Sequence, residues 1–274
     1  LFRSYPAMGK CTGATPVSVE TEEKNGLKMT AAQLAAAITP RTKCLILCSP
    51  SNPTGMVYTA AELKALADVI VEKDILVISD EIYEKLIFGV AFASIAALRP
   101  GMMERTIVVN GASKAYAMTG WRIGYAAGPK EIMTAAGRMQ SQSTSNATSI
   151  AQYATIAALE GDQACVETMR VEYAKRRDYI VGRLRKIPGV TCGEPQGAFY
   201  VFPNVSGLYG KKYQGKAITG SVAMAETLLE KAHIAVVPGS GFGADHYIRL
   251  SYATSMEKIG KGLDRLEKFV GELS

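Results

Sequence analysis

One lysine, Lys114, stands among glycine, alanine and serine in NGASKAYAMTGWRIGY (Asn110 to Tyr125), and Arg122 follows it eight positions later. A surface lysine has no need of such small neighbours. A lysine in a confined, partly dehydrated place has a lowered pKa and can form a Schiff base with an aldehyde. Arg122 offers a planar fork that grips a phosphate, where a lysine offers only a point charge. Upstream, SPSNPTG supplies Asn52, and SDEIYE supplies Asp80 and Tyr83. A carboxylate can keep a ring nitrogen protonated through a charge-assisted contact. An amide and a phenol can both hydrogen-bond an oxygen on such a ring. Taken singly, each of these three has a plainer structural use: Asn52 in a side-chain turn before Pro53, Asp80 as a helix cap, Tyr83 in the core.

The elements that must position these groups make the coincidence harder to dismiss. KCLILCS (Lys43 to Ser49), ILVIS (Ile75 to Ser79) and TIVVN (Thr106 to Asn110) read as buried strands, and RIGYAAG (Arg122 to Gly128) as a fourth. Between the first two, TAAELKALADVIVEKD (Thr59 to Asp74) has an N-capping threonine and places Leu63, Leu66, Ala67 and Ile70 on one helical face. Near-continuous apolar strands separated by helices predict an α/β fold with a mostly parallel sheet flanked by helices. In such sheets ligands bind beyond the carboxyl ends of the strands. Asn52, Asp80 with Tyr83, and Lys114 follow three successive strands and so share that edge. The ligand that uses all five groups is pyridoxal 5'-phosphate, whose protonated ring withdraws electrons and stabilises a carbanion.

Three further helices are predicted, over roughly Lys130 to Ser143, Ser149 to Glu160 and Asp162 to Ile187. After KIPGV the texture changes to short strands, GAFYVFPNV and HYIRLSYA, with helices near Gly220 to Ala232 and Met256 to Leu273. This predicts two domains: residues 1–186 as a cofactor-binding domain that includes an interdomain helix at about 162–186, and residues 187–274 as a smaller α+β C-terminal domain.

The chain has 274 residues, a formal net charge of +6 and 48% hydrophobic residues, an ordinary globular balance. No apolar run approaches the ~20 residues of a membrane span. The stretch Arg170 to Lys186 carries seven Lys or Arg, but Val166, Met169, Tyr173, Ile180, Leu184 and Ile187 recur at helical spacing beside them. A solvated helix face explains that charge better than a nucleic-acid surface. Five cysteines without a C-x-x-C pair, and only two histidines, give no zinc site. Buried or semi-buried free thiols in a reducing compartment, by default the cytoplasm, are expected. GSGFG (Gly239 to Gly243) lacks dinucleotide-fingerprint spacing and reads as a mobile loop.

SPSNPTG, SDEIYEKL, NGASKAYAMTGWRIGYAAGP, GAFYVFPNVSG and YIRLSYATS, in this order across nearly the whole chain, closely resemble fold-type I pyridoxal-phosphate enzymes, in particular class I aminotransferases of the aspartate aminotransferase group. The resemblance implies transfer of an amino group between an L-amino acid and a 2-oxo acid, in a homodimer. It implies that Lys114 carries the cofactor and shuttles a proton between the substrate's alpha carbon and the cofactor. Asp80 pairs with the pyridine nitrogen, Tyr83 and Asn52 hold the ring oxygen, and Arg122 binds the phosphate. Arg249, in IRLSYATS, clamps the substrate's alpha-carboxylate, a bidentate pairing that the chemistry favours independently. Its plainer alternative is a surface salt bridge. Phe2, four residues before Pro6, corresponds to an aromatic near the cofactor ring, with a core aromatic as the equal alternative. The Asn52–Pro53 bond is a candidate cis peptide. Many relatives carry a hydroxyl at the position of Gly111, three before the lysine. The family also has an N-terminal phosphate-cradling segment that LFRSYP does not include. Two other readings stay open: a lyase or decarboxylase on the same scaffold, and a catalytically inert fragment serving as a dimerisation module.

Overall fold

A computed structural model describes residues 4–274; Phe2 lies outside the described residues. In chain order the elements are α1 (Ser4–Cys11), α2 (Ala31–Ala37), β1 (Cys44–Cys48), α3 (Ala60–Glu72), β2 (Leu76–Asp80), β3 (Thr106–Asn110), α4 (Ala112–Ala115), β4 (Tyr125–Ala127), α5 (Lys130–Ser143), α6 (Ser149–Glu160) and α7 (Ala164–Leu184), then β5 (Tyr200–Val201), β6 (Lys212–Tyr213), β7 (Lys216–Ala217), α8 (Ser221–Thr227), β8 (Val237–Pro238), β9 (Ile248–Ser251) and α9 (Met256–Gly271). The chain forms two compact units. One consists of Lys28–Pro50 and Val57–Arg170; the other joins Ser51–Met56 and Val171–Ser274 to the N-terminal stretch through Leu27.

In the first unit β1, β2 and β3 run parallel, with Cys48 opposite Asp80 and Asp80 opposite Val109. β4 lies antiparallel on β3, with Asn110 opposite Tyr125. The sheet is therefore mostly parallel, as expected, but the fourth strand is reversed and shorter than Arg122 to Gly128. Arg122 takes the left-handed conformation (φ 51°, ψ 47°) at the end of a 3-10 turn over Thr119–Trp121, so strand pairing starts only at Tyr125. α3 begins as its sequence predicts. The Thr59 side chain accepts from the Glu62 backbone N–H and the Glu62 carboxylate accepts from that of Thr59, which satisfies two donors at the helix start. Leu63, Leu66, Ala67 and Ile70 form its buried face, and α2 packs against it.

In the second unit β5, β9 and β8 form an antiparallel sheet and β6–β7 a hairpin. Ser255 caps α9, whose Ile259, Leu263, Leu266, Phe269 and Val270 recur at helical spacing and are buried. The predicted helix over Gly220 to Ala232 is α8 followed by a wider π turn, Leu228–Ala232, that stops at left-handed His233. The basic stretch along α7 is a paired, solvated face. Arg170 bridges to Glu167, Arg176 to Glu172 and Arg177 to Asp178, while Arg183 reaches Asp264 and Glu267 of α9.

The five cysteines are all free, but only partly where composition put them. Cys48 is buried and Cys192 half-buried, whereas Cys11, Cys44 and Cys165 are exposed because they sit at the ends of α1, β1 and α7. Among the described residues no helix is long and apolar enough to cross a membrane, and no group of three or more metal-ligating side chains gathers.

Candidate active site

The three parallel strands of the first unit end level with one another, and the chemistry-bearing residues leave from that edge. Asp80 is the last residue of β2. Its Oδ1 accepts a hydrogen bond from the backbone N–H of Ile82 at 3.1 Å, so it does form the local turn contact that a bland reading assigns it. Tyr83, buried with 3% of its surface exposed, follows in the same turn. β3 ends at Asn110, whose Oδ1 accepts from Gly111 N–H at 2.8 Å and folds the chain sharply into α4. Lys114 lies on that short helix, with its Nζ 5.9 Å from the centre of the Tyr83 ring.

Gly111 explains why no hydroxyl stands three residues before the lysine. A Cβ there would lie 3.0 Å from Gly124 Cα and 3.1 Å from the Ile123 carbonyl oxygen, closer than side chains normally approach backbone. The turn after β3 and the turn before β4 are pressed together, and glycine is what the space admits. Arg122 stands in the second of these turns, held by a 2.8 Å hydrogen bond from its Nη1 to the Thr119 carbonyl and otherwise exposed. Its left-handed backbone is uncommon for a residue with a side chain. Trp121, beside it, is 44% exposed and packs little.

The structure adds one carboxylate that sequence reasoning passed over. Glu81, next to Asp80, is 4% exposed and accepts hydrogen bonds at Oε1 from Ser79 Oγ (2.9 Å) and Ser94 Oγ (2.7 Å). Burial pushes its pKa up from the ordinary carboxylate value; the two serine hydroxyls pull it back, and the nearby Glu84 and Asp80 charges add to the rise. Glu81 stands two residues after Ser79 at the end of β2, and that two-residue period is a signal that could have paired them.

The remaining two predicted residues lie in the second unit and meet there. Asn52 is buried, and its Oδ1 accepts from Arg249 Nη1 at 2.8 Å. The Asn52–Pro53 bond is cis, as the sequence suggested, and so is Ser49–Pro50. The guanidinium carbon of Arg249 lies 4.3 Å from the centre of the Tyr200 ring and 5.3 Å from that of Phe242. Phe242 ends the short turn Gly239–Phe242, so part of GSGFG lies beside the arginine. Tyr200 and Phe242 were legible only as aromatic positions in GAFYVF and GSGFG.

A single amine, a carboxylate and a buried phenol at one sheet edge, with two glycine turns drawn close beneath, match the donor set of pyridoxal phosphate. The comparisons with known proteins decide the family. A model of "Aminotransferase class I and II" matches residues 1–266. The chain belongs to this aminotransferase family. It is 51% identical to an aspartate aminotransferase of Geobacillus stearothermophilus over 97% of this chain and 67% of that protein. It is 50% identical to an aspartate/prephenate aminotransferase of Cereibacter sphaeroides over 99% of this chain and 68% of that one. The crystal structure of an aspartate aminotransferase from Rhizobium meliloti superposes with a TM-score of 0.96 at 42% identity, covering all of this chain and 69% of the other. The protein is thus a pyridoxal-phosphate-dependent aminotransferase with the fold of that group, a large cofactor domain and a smaller C-terminal one. Its relatives named here are aminotransferases, which favours amino-group transfer over the lyase and inert-module readings.

Proposed function

We propose that this aminotransferase moves the amino group of a dicarboxylic L-amino acid of the aspartate type to a 2-oxo acid, with Lys114 as its cofactor-bearing and proton-carrying residue. The observation that carries this reading is the placement of Asp80, Tyr83 and Lys114 at the carboxyl edge of one parallel sheet. Bound pyridoxal phosphate supplies an aldehyde and an electron-withdrawing ring. Every other contribution belongs to the chain. Lys114 would hold the cofactor through its Nζ, and its amine would carry the proton to and from the substrate's alpha carbon. Asp80 holds a proton on the ring nitrogen by charge-assisted hydrogen bonding. Tyr83 and Asn52 would hold the ring oxygen by hydrogen bonds. Arg122 grips the phosphate with its fork. Arg249 pairs with the substrate's alpha-carboxylate, and its present bond to Asn52 holds it in a defined rotamer before substrate arrives.

The aspartate-type substrate is carried over from the two relatives' names, since Arg249 accounts only for the carboxylate that every amino acid has. A homodimer and residence in the cytoplasm complete the proposal; five free thiols suit a reducing compartment. The test is a half-reaction. The protein loaded with pyridoxal phosphate and mixed with L-aspartate should release oxaloacetate in stoichiometric amount without any acceptor, then aminate a 2-oxo acid in a second step. Release of carbon dioxide or ammonia in place of oxaloacetate would overturn it. Prephenate, offered as the acceptor, separates the two relatives' specificities.

A further inference from the structure

We propose that Tyr200 is a positioning residue for substrate binding: its ring face sets the direction in which the Arg249 guanidinium points. The inference rests on the reading of Arg249 as the carboxylate-binding residue. β5 and β9 are antiparallel neighbours in register Tyr200 opposite Ser251 and Val201 opposite Leu250. Arg249 is two residues from Ser251, so Tyr200 and Arg249 are diagonal neighbours on the same face of the sheet, a separation long side chains span readily. The guanidinium carbon sits 4.3 Å from the Tyr200 ring centre, well inside the range of a cation–π contact. The ring is itself fixed, for Tyr200 is 8% exposed and packs on Phe199 at 4.8 Å between ring centres.

Two constraints of different geometry therefore act on one planar group. The ring face confines the plane of the guanidinium, and Asn52 Oδ1, at 2.8 Å from Nη1, confines its rotation within that plane. An arginine is an unusually good object for such control, because its donors form a rigid fork and its charge is weakly hydrated and stacks on aromatic faces. Bidentate capture of a carboxylate needs both fork donors aimed together, so a guanidinium free to swing loses affinity even with its charge intact. Phe242 approaches less closely, at 5.3 Å, from a short turn and not from a strand, so the rigid reference is Tyr200.

The experiment compares Tyr200→Phe, Tyr200→Leu and Arg249→Lys in the holoenzyme. The readouts are calorimetric dissociation constants for maleate, a dicarboxylate that reports binding without turnover, and KM and kcat for L-aspartate. Tyr200→Leu should weaken maleate and raise the aspartate KM by roughly tenfold, with kcat little changed, while Tyr200→Phe, which keeps the ring face, stays close to the parent. A half-reaction with ethylamine, which has no carboxylate, should run at the same rate in Tyr200→Leu and parent. If Tyr200→Leu does not fold, Tyr200→Ile, which suits a strand, replaces it. Parent-like maleate binding in Tyr200→Leu, an equal loss in Tyr200→Phe, or an equal loss with ethylamine would overturn the inference. Arg249→Lys separates the two levels. If it leaves maleate and aspartate unaffected, the carboxylate role of Arg249 falls first; if it weakens both while Tyr200→Leu does not, only the role of Tyr200 falls.

Discussion

Lys114 and Asp80 were recognisable together because they follow successive parallel strands and so share one sheet edge. An amine wants a dehydrated setting to be reactive, and a carboxylate is useful to a ring nitrogen only if held still. The structure gives Asp80 an anchor, the Ile82 N–H at 3.1 Å, on the firm end of β2. On the proposed roles, replacing it by asparagine should leave the fold and attachment at Lys114 intact and remove the charge assigned to keeping the ring nitrogen protonated. The expected result is a drop in kcat on the order of 10²-fold with an unchanged thermal midpoint, read by steady-state kinetics and melting together. An unchanged kcat would remove Asp80 from the mechanism. Glu81 was not legible as special, although it is adjacent: sequence says that a carboxylate is present, but not that Ser79 and Ser94, thirteen positions beyond it, both turn their hydroxyls to it.

At the scale of elements, legibility followed how locally each element is encoded. α3 carries its own start signal in Thr59 and Glu62 and its own buried stripe, so pattern and structure coincide. α5 and α6 have the predicted bounds although neither start carries a side-chain cap. Thr59→Ala removes the side-chain acceptor for Glu62 N–H, and thermal or urea unfolding should show a loss of about 1 kcal/mol with catalysis unaffected. β4 and the π turn after α8 were not legible. Both depend on left-handed backbone at residues with ordinary side chains, Arg122 and His233, and nothing in those residue types demands it. Gly111 shows the reverse case. Its identity was noted as a departure from relatives, and the close approach of Gly124 supplies the physical reason that sequence lacked.

For the molecule as a whole, the least legible feature is long-range assembly. Asn52 and Arg249 were each predicted for a site, yet their hydrogen bond joins positions 197 apart, and Ser51–Met56 belongs with the C-terminal unit and not with the strand that precedes it. Gln196 and Gly197 both donate to the Gly55 carbonyl and fix that loop, a pairing no local pattern announces. Stability of the whole should carry the mark of buried Glu81. Its pKa is raised in the folded state above the unfolded value of about 4.3, so its contribution is favourable at low pH and is lost as pH rises through the native pKa. Glu81→Gln keeps an oxygen acceptor for both serines and cannot ionise. Its melting temperature relative to the parent should therefore improve from pH 4 to pH 7, measured by calorimetry across that range; a flat difference would show that Glu81 is not strained by its charge. The central claim, that Lys114 carries the cofactor, has a direct measurement. The protein incubated with pyridoxal phosphate, reduced with borohydride and digested is mapped by mass spectrometry. The account predicts a visible to near-ultraviolet band that reduction abolishes, and one stoichiometric pyridoxyl adduct on the peptide containing Lys114, absent in Lys114→Ala. A stoichiometric adduct on another lysine, or a band that survives in Lys114→Ala, would contradict it.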